Sequence, residues 1–333
     1  MAQFTACSVL IKPNHSYSSS ILTTQLDVHL RLKGLDTLPA TDEVFCELNN
    51  IGLGHFSEAQ YFTDILKLMT IDLQLLSRLV RDASREILLP QFNAVHRQYK
   101  ADGSIVTIAD QMMQDTLTER LAEHYPDIKL LGEEMTAGLQ THLLDEGEPL
   151  WCLDPIDGTS NFVSGLPFFS VSLALLQDNA VSHGLVYDPI RDECFTAQRD
   201  TGAWLNDRPL KTSHNKLDIS QTLAMIDFNR LTPELTRRLI AEKPYATQRS
   251  LGSTALELCW LAAGRCQLYL HGKQLLWDYA AAQLIISEAG GCITSLEGNN
   301  LSAPSLQAKS ACAAVNAELL LQWRNFLSKQ ASL

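Results

Sequence analysis

Residues 151–162 read WCLDPIDGTSNF, an apolar run followed by two aspartates, a glycine and two hydroxyl residues. The apolar run predicts a buried strand that delivers Asp154 and Asp157 at its carboxyl end. Asp-Pro and Asp-Gly both favour turns, because the Asp side chain bonds nearby backbone and glycine tolerates positive φ. A turn would explain the stretch. A site in which carboxylates hold a metal ion, beside backbone amides that hold an anion, would explain it equally well.

The composition predicts an ordinary globular protein and argues against a nucleic-acid binder. The 333 residues are 46% hydrophobic and 19% charged, with a formal net charge of −12 and no basic cluster. The eight cysteines include no Cys-x-x-Cys pair, which is typical of buried thiols in a reducing compartment. We find no convincing secretory signal and no apolar run of about 20 residues. We therefore expect a cytoplasmic protein with no membrane partner.

The pattern along the chain predicts an extension followed by one catalytic domain. Residues 1–60 are weakly patterned, and we expect them to be poorly ordered or loosely docked. Apolar residues at three- and four-residue intervals between Ile65 and Ile87 predict an amphipathic helix that ends at Pro90. Residues 168–210 predict a meander of antiparallel hairpins. Strands and helices then alternate, so residues 61–333 divide into an α+β half (61–212) and an α/β half (213–333) that pack as one unit.

Acidic residues stand at the ends of four predicted elements: Asp110, Glu133 with Glu134, Asp154 with Asp157, and Asp278. Each has an ordinary explanation, since an aspartate suits a helix N-terminus and a glutamate suits a solvated loop. Together, partly buried carboxylates would repel one another unless cations neutralise them. Oxygen ligands without His or Cys favour Mg²⁺ or Mn²⁺ over zinc.

Gly158, Thr159 and Ser160 supply the second half of such a site. They follow the strand where a helix is predicted to begin, and the N–H groups of a first helical turn favour an anion such as phosphate. Metal ions and an amide cradle at one strand end predict phosphoryl-transfer chemistry.

Five motifs in a fixed order carry a family resemblance. They are KADGSIVTIAD (100–110), LGEE (131–134), WCLDPIDGTSNF, RSLGSTALEL (249–258) and LWDYAAAQLIISEAGG (276–291). Over about residues 61–333 the sequence resembles the inositol monophosphatase family, which shares its fold with fructose-1,6-bisphosphatase. The resemblance implies a layered αβαβα sandwich of the sugar-phosphatase type. It also implies a homodimeric phosphomonoesterase that acts on a small phosphorylated substrate with two or three Mg²⁺ ions, or Mn²⁺, and is often lithium-sensitive.

The resemblance also assigns roles to residues. Glu133, Asp154 and the carbonyl of Ile156 would hold one metal ion, and Asp154, Asp157 and Asp278 a second. Thr159, Asp110 and Glu133 would act in catalysis, the first two by orienting and deprotonating the attacking water. The phosphate and the rest of the substrate would contact Asp157, Gly158, Thr159, Ser160, Gly252, Ser253, His271 and Asp278.

His271 departs from the family pattern. Inositol-specific members carry a glutamate at this position, seven residues before the aspartate of LWD, whereas here an imidazole stands near Lys273. Loss of an acceptor-only carboxylate admits another alcohol or a second anionic group on the substrate, unless His271 only lines the cleft mouth. Histidinol-phosphate, sugar-phosphate and 3′-phosphonucleotide phosphatases therefore stay open beside an inositol 1-phosphate phosphatase. A partner-binding regulatory protein on the same fold is the alternative from another class.

Overall fold

A computed structural model describes residues 8–11, 28–31, 71–94, 98–99, 105–212 and 217–328. The chain divides into two units, residues 1–70 and 71–333. In the first unit, the strands β1 (Ser8–Ile11) and β2 (Val28–Arg31) pair antiparallel. The prediction of poor order or loose docking over residues 1–60 otherwise lies outside the described residues, and the domain boundary at residue 61 stays a prediction.

The second unit begins with the predicted amphipathic helix. Helix α1 (Leu73–Ala83) is capped by Asp72, whose side chain accepts from the Gln74 N–H at 2.8 Å. It continues through a π-helical turn (Ser84–Leu88) into α2 (Leu89–Gln91), so the helix ends one residue beyond Pro90. The predicted part before residue 71 lies outside the described residues.

The following segment holds a short strand pair and three helices. Strands β3 (Gln98–Tyr99) and β4 (Ile105–Val106) pair antiparallel, and Thr107 then caps α3, whose first turn contains Asp110. The sequence reasoning did not predict α4, which Thr136 caps. The helices are α3 (Ile108–His124), α4 (Ala137–Asp145) and α5 (Thr159–Ser164).

A seven-stranded sheet contains the predicted meander. Its strands are β5 (Lys129–Gly132), β6 (Leu150–Asp157), β7 (Ser170–Gln177), β8 (Ala180–Asp188), β9 (Glu193–Gln198), β10 (Gly202–Leu205) and β11 (Arg208–Leu210), in the order β11-β10-β9-β8-β7-β6-β5. Strands β5 and β6 are parallel, and all the other neighbouring strands of this sheet pair antiparallel. Asp178 and Asn179 join β7 to β8 with φ values of 54° and 55°, as a tight two-residue hairpin turn requires. The hairpin prediction is therefore confirmed.

A five-stranded mixed sheet forms the α/β half. Its strands are β12 (Leu223–Asp227), β13 (Thr247–Arg249), β14 (Leu268–Gln274), β15 (Cys292–Thr294) and β16 (Lys309–Ala314), in the order β13-β12-β14-β16-β15. Strand β12 is parallel to β13 and β14, and β16 is antiparallel to both of its neighbours. The helices of this half are α6 (Pro233–Glu242), α7 (Thr254–Ala262), α8 (Leu276–Glu288) and α9 (Ala317–Ser328).

The second unit has five layers, which confirms the αβαβα prediction. Helices α7 and α8 lie between the two sheets, α1 and α3 cover the outer face of the larger sheet, and α9 packs on the smaller one. Because sheets cover α8 on both sides, it buries side chains around most of its circumference. It approaches β8 so closely that a Cβ at Gly184 would lie 2.7 Å from the Ala281 carbonyl oxygen. Within the described ranges, no helix is long and apolar enough to cross a membrane.

Candidate active site

A β-bulge places Asp154 and Asp157 on the same face of the larger sheet. Asp154 lies opposite Ser172 of β7 and Asp157 lies opposite Ser170, so three steps along β6 match two steps along β7. Side chains three residues apart in a regular strand would point to opposite faces, and the extra residue cancels this alternation. Strand β6 runs through Asp157, so the Pro155–Ile156 segment is a bulge within the strand and the turn predicted at Asp-Pro was wrong, whereas the chain does turn at Gly158.

The predicted acids form one electrostatic cluster. Burial raises the pKa of Asp154 well above its usual value, and the charges of Glu133, Asp157, Asp278 and Asp110 raise it further. Burial likewise raises the pKa of Asp278, with further increases from Asp157 and Glu133. The structure therefore brings together the acids of all four sequence segments, in surroundings that penalise their negative charge.

Asp110 and Thr159 meet beside the bulge. Thr159 Oγ1 lies 2.9 Å from the Ile156 carbonyl oxygen and 3.3 Å from Asp110 Oδ1. The second Asp110 oxygen accepts from the Thr107 N–H and hydroxyl, both at 2.7 Å. Burial raises the pKa of Asp110 to about 7, against the lowering effect of the Thr107 hydrogen bonds. Asp110 thus caps α3 and also presents a carboxyl oxygen to Thr159.

The Gly158 turn adjoins the Gly252–Ser253 turn. Gly158 has a φ of 95°, and a Cβ there would lie 3.1 Å from the Gly252 carbonyl oxygen and 3.2 Å from Ser253 Cβ. Glycine is required both by the positive φ and by this approach. The turn opens α5, so the amides of Thr159 and Ser160 belong to a first turn without intrahelical acceptors.

Asn161 links the Gly158 turn to the Gly252–Ser253 turn through side-chain hydrogen bonds. Its side-chain amide donates to the Phe168 carbonyl at 2.7 Å and to the Leu251 carbonyl at 2.6 Å. Glu257 supports the second turn, because its carboxylate accepts from the N–H groups of Leu251 and Gly252. The sequence reasoning identified neither residue. The Asn within DGTSNF was the available signal for the first, and nothing in the sequence pointed to the second.

Asp157 reaches across to the start of α7. Its carboxylate accepts from the Ser253 hydroxyl at 2.5 Å and from the N–H groups of Thr254 and Ala255 at 3.0 and 2.8 Å. Burial raises its pKa to about 6, and these hydrogen bonds hold the value down. The predicted substrate residues Gly252 and Ser253 therefore lie directly beside the predicted acids.

Asp278 and His271 come from the smaller sheet and the helix that follows it. Asp278 Oδ2 accepts from the Leu275 N–H at 2.8 Å, so this residue also caps its helix. His271 is buried in the middle of β14, where its Nε2 lies 3.4 Å from Asp227 Oδ2. The Lys273 N–H donates to His271 Nδ1 at 3.2 Å. The sequence reasoning did not name Asp227.

The carboxylate oxygens of the acid cluster suit a hard divalent cation, both as ligand atoms and in their charge. Buried carboxylates that raise one another's pKa would be relieved by positive charge, and oxygen donors are the ligands that Mg²⁺ prefers. No three Asp, Glu, His or Cys side chains within the described part of the chain stand as a ready-made ligand set. Asp157 and Asp278 instead accept from helix N–H groups, and Thr159 contacts the Ile156 carbonyl. A carboxylate has about four acceptor positions, so these hydrogen bonds still leave the two aspartates acceptor capacity for a cation.

A cavity of about 350 Å³ lies beside Asn161 and contains none of these acids. Its walls are largely apolar and include Phe168, Trp260 and three arginines. The Arg191 guanidinium lies over the Phe168 and Trp260 rings, 5.6 and 5.3 Å from their centroids. The chemistry of the acid cluster is therefore separate from this cavity.

Comparisons with known proteins agree with the fold. Inositol monophosphatase 1 of Solanum lycopersicum is 38% identical over 210 residues, which cover 61% of this chain and 77% of the relative. Nus factor SuhB of Pasteurella multocida is 38% identical over 208 residues, covering 60% and 75%. The structure of a Thermotoga maritima IMPase matches with a TM-score of 0.67 at 28% identity, covering 77% of this chain and 96% of that one.

The fold and the acid cluster, taken with these relatives, define the class of the protein as an enzyme that hydrolyses phosphoric monoesters. The sequence model of the inositol monophosphatase family matches residues 69–329. The chain belongs to the inositol monophosphatase family.

Proposed function

We propose that this protein is a Mg²⁺-dependent phosphomonoesterase that hydrolyses a small phosphorylated alcohol resembling inositol 1-phosphate. The observation that carries the proposal is the cluster of buried Asp154 and Asp157 with half-buried Asp278 and Glu133, in which burial and neighbouring acidic charges raise the pKa values of Asp154 and Asp278. Divalent metal ions match both the negative charge of this cluster and its oxygen donors. The number of ions, two or three, and the choice of Mg²⁺ over Mn²⁺ are part of the proposal.

Residues of the chain then divide between holding the metal ions and handling the water. Glu133, Asp154, Asp157, Asp278 and the Ile156 carbonyl would hold Mg²⁺, which when bound acidifies water and neutralises the charge of the departing oxygen. Thr159 would turn from the Ile156 carbonyl toward Asp110, from which its hydroxyl oxygen is already only 3.3 Å away. Asp110, with a pKa of about 7, is suited to receive the water's proton through this contact near neutral pH.

The phosphate and the alcohol would occupy opposite sides of the acids. The amides of Gly158, Thr159 and Ser160 would contact the phosphate oxygens, because the positive φ of Gly158 turns the backbone into the site. Gly252 and Ser253 face this turn from the smaller-sheet half. The alcohol would then lie toward the ends of β12 and β14.

Phosphate release by the purified full-length chain tests the proposal. The substrates are inositol 1-phosphate, histidinol phosphate, fructose 1,6-bisphosphate and a 3′-phosphoadenosine nucleotide, each with Mg²⁺ or with a chelator. We expect Mg²⁺-dependent release that Asp154→Asn abolishes, because the variant removes the carboxylate at the centre of the cluster. Asp115→Asn is the matched control, since Asp115 is an exposed acid on α3 that bonds only locally to Gln111.

Release that is equal with and without Mg²⁺, or that survives in Asp154→Asn, would contradict the proposal. The preferred ester would choose among the inositol, histidinol, sugar and 3′-phosphonucleotide alternatives. A homodimer is proposed on the family resemblance alone, and a cytoplasmic location on the cysteine pattern of the sequence.

Partner binding is the second candidate function, and one observation favours it. The Pasteurella multocida relative, at 38% identity, is named as a Nus factor rather than as a phosphatase. A binding role would not need the acid cluster, so Asp154→Asn would leave complex formation intact while removing hydrolysis. A folded protein that binds Mg²⁺ but hydrolyses none of the four esters would favour this candidate.

A further inference from the structure

Asp227, the last residue of β12, faces His271 in the middle of the parallel strand β14. Strands β12 and β14 pair with Asp227 opposite His271. The ring accepts from the Lys273 N–H at Nδ1, and a neutral imidazole that accepts at one nitrogen carries its proton on the other. The nitrogen that then carries the proton, Nε2, lies 3.4 Å from Asp227 Oδ2. Both ring nitrogens are engaged by the protein, which leaves no imidazole nitrogen for a substrate in this arrangement.

Asp227 is the polar group that this pair presents to its surroundings. Its side chain is 23% exposed, whereas that of His271 is only 9% exposed. The hydrogen bond from His271 is the largest of the effects that lower the pKa of Asp227, so the group is a carboxylate at neutral pH. Asp227 Oδ1 accepts from the Asn229 N–H at 2.9 Å. A carboxylate has about four acceptor positions, so further acceptor capacity remains.

Asp227 and the acid cluster share the charged neighbours Arg230 and Glu257. The charge of Arg230 lowers the pKa of both Asp227 and Asp278, and the buried Glu257 is affected by both Asp227 and Asp157. The helical turn Phe228–Arg230 rests on the end of β14, where a Cβ at Gly272 would lie only 1.8 Å from the Arg230 carbonyl oxygen. The turn and its capping aspartate are therefore fixed against the strand that leads into Asp278.

We propose that Asp227 is a specificity-determining residue that accepts hydrogen bonds from donor groups on the alcohol part of the substrate, and that His271 positions it. This inference rests on the proposed phosphatase function and names the substrate class. The alcohol carries hydroxyl or ammonium groups near the ester oxygen, because only donors are attracted to a carboxylate held in place by two protein donors. A second phosphate at this position would face negative charge, so the inference disfavours the anionic group that His271 and Lys273 suggested from sequence.

Steady-state kinetics of Asp227→Asn in the full-length protein test the inference. The esters are inositol 1-phosphate, which offers hydroxyls, histidinol phosphate, which offers an ammonium group, and phenyl phosphate, which offers no donor. We expect kcat/KM to fall about 10- to 100-fold for at least one donor-bearing ester, as for loss of one hydrogen bond to a charged group. The value for phenyl phosphate should fall less than about threefold, since the reacting centre is untouched. The ester that loses most identifies the donor as hydroxyl or ammonium.

Equal losses for all three esters would overturn the inference, because they would indicate a structural role, and so would no loss for either donor-bearing ester. Asp218→Asn is the matched control. Asp218 caps the helical turn Ile219–Gln221 through the Ser220 N–H at 2.9 Å, as Asp227 caps its own turn, but it is exposed. Its kinetics should match those of the unaltered protein.

The kinetics of a second variant test whether His271 positions Asp227. His271→Leu should reproduce the selective loss on the donor-bearing ester, and the double variant with Asp227→Asn should be no worse than either single variant. Additive losses, or a loss shared by phenyl phosphate, would contradict it. If the unaltered protein hydrolyses no ester, the proposed function fails separately. Calorimetric titration with inositol 1-phosphate and with histidinol phosphate then decides the inference, since weaker binding of either ester by Asp227→Asn supports it and equal binding of both overturns it.

Discussion

Glu257 illustrates how a buried side chain can serve the site without touching it. It is 3% exposed, and its carboxylate accepts from the Gly252 N–H at 3.1 Å as well as from the Leu251 N–H. Burial raises its pKa from 4.5 to about 7, despite these two hydrogen bonds. The protein therefore holds the turn beside Gly158 with a group whose charge is unfavourable above neutral pH.

Glu257→Gln should change how stability depends on pH. The folded protein binds the Glu257 proton more tightly than the unfolded chain, so the contribution of this group is present below about pH 4.5 and is lost as pH rises to about 7. Gln keeps an acceptor oxygen and cannot ionise. We expect the variant to have a free energy of unfolding about 1–3 kcal/mol higher than the unaltered protein at pH 8, and no such gain at pH 4.5.

Urea unfolding without divalent cations at the two pH values checks this prediction. Glu234→Gln is a suitable control, because Glu234 is an exposed acid on α6 that pairs only with Arg237. A stability difference that is the same at both pH values would rule out ionisation of Glu257 as its cause.

At the residue scale, the sequence predicts the acids but not the side chains that hold them. Asp154, Asp157 and Asp278 stand out because carboxylates at the ends of apolar runs are unusual. Asn161 and Glu257 bond to backbone groups of the 251–252 turn, and no local pattern marks such a partner. Asp227 becomes visible only once β12 and β14 are paired, since 44 positions of sequence separate it from His271.

Among the elements, the junction of β6 and α5 bears most directly on the site. The bulge sets the direction of both aspartates, and Gly158 then turns the chain into α5 with a φ of 95°. Because the same few residues hold the acids and the anion-facing amides, a change in this junction should affect folding and catalysis together.

Gly158→Ala tests that coupling. The added Cβ would lie 3.1 Å from the Gly252 carbonyl oxygen and 3.3 Å from the Phe168 carbonyl oxygen, in a backbone conformation that Ala disfavours. We expect a loss of about 1–3 kcal/mol in the free energy of unfolding and at least a tenfold loss of kcat/KM. Thermal unfolding and phosphate release measure the two effects.

Gly138→Ala provides the control, because Gly138 lies in α4 and an added Cβ meets nothing within 4 Å. This control should be neutral or stabilising by up to about 1 kcal/mol. Unimpaired activity in Gly158→Ala would show that the turn tolerates a side chain and that the predicted phosphate contact lies elsewhere.

Elements with strong periodicity or unbroken apolar runs were predictable, and the short or polar ones were not. Helix α4 was not predicted because its sequence, AGLQTHLLD, has few apolar positions and buries only Gln140 and Leu143. Strand β13 was not predicted because it is a three-residue edge strand with no buried position. The bulge in β6 could not be distinguished from a turn, since Asp-Pro suits either and the pairing with β7 decides between them.

For the molecule as a whole, the acid cluster is a source of instability that bound cations would remove. Buried like charges oppose folding, so Mg²⁺ should stabilise the folded chain by mass action. We expect thermal unfolding to shift upward by a few degrees between chelator and millimolar Mg²⁺. Asp154→Asn should raise the melting temperature in chelator, because it removes one repelling charge, and should abolish most of the Mg²⁺ increment.

Equal ionic strength supplied as NaCl separates specific binding from screening, and Asp115→Asn should behave like the unaltered protein. A melting temperature unaffected by Mg²⁺, or an Asp154→Asn variant that still responds fully, would contradict the assignment of the cation to this cluster.

The layered architecture followed from the sequence only through the family resemblance. The alternation of strands and helices predicts an α/β half, but it cannot give the order β13-β12-β14-β16-β15, because strand neighbours are set by contacts distant in sequence. The placement of α7 and α8 between two sheets is likewise a property of the assembled layers. Their apolar composition is compatible with any deeply buried helix.

The bulge in β6 makes the orientation of Asp154 and Asp157 depend on whether the number of residues between them is odd or even. With one residue fewer between them, Asp154 and Asp157 would be two positions apart, as Ser172 and Ser170 are on β7, and no bulge would be needed. Both carboxylates would still face the same way, but without the Ile156 carbonyl turned out of the ladder. With one residue more and no second bulge, one aspartate would point to the opposite face. A single insertion between the two aspartates should therefore be tolerated only with a second change that restores parity, whereas surface loops absorb insertions freely.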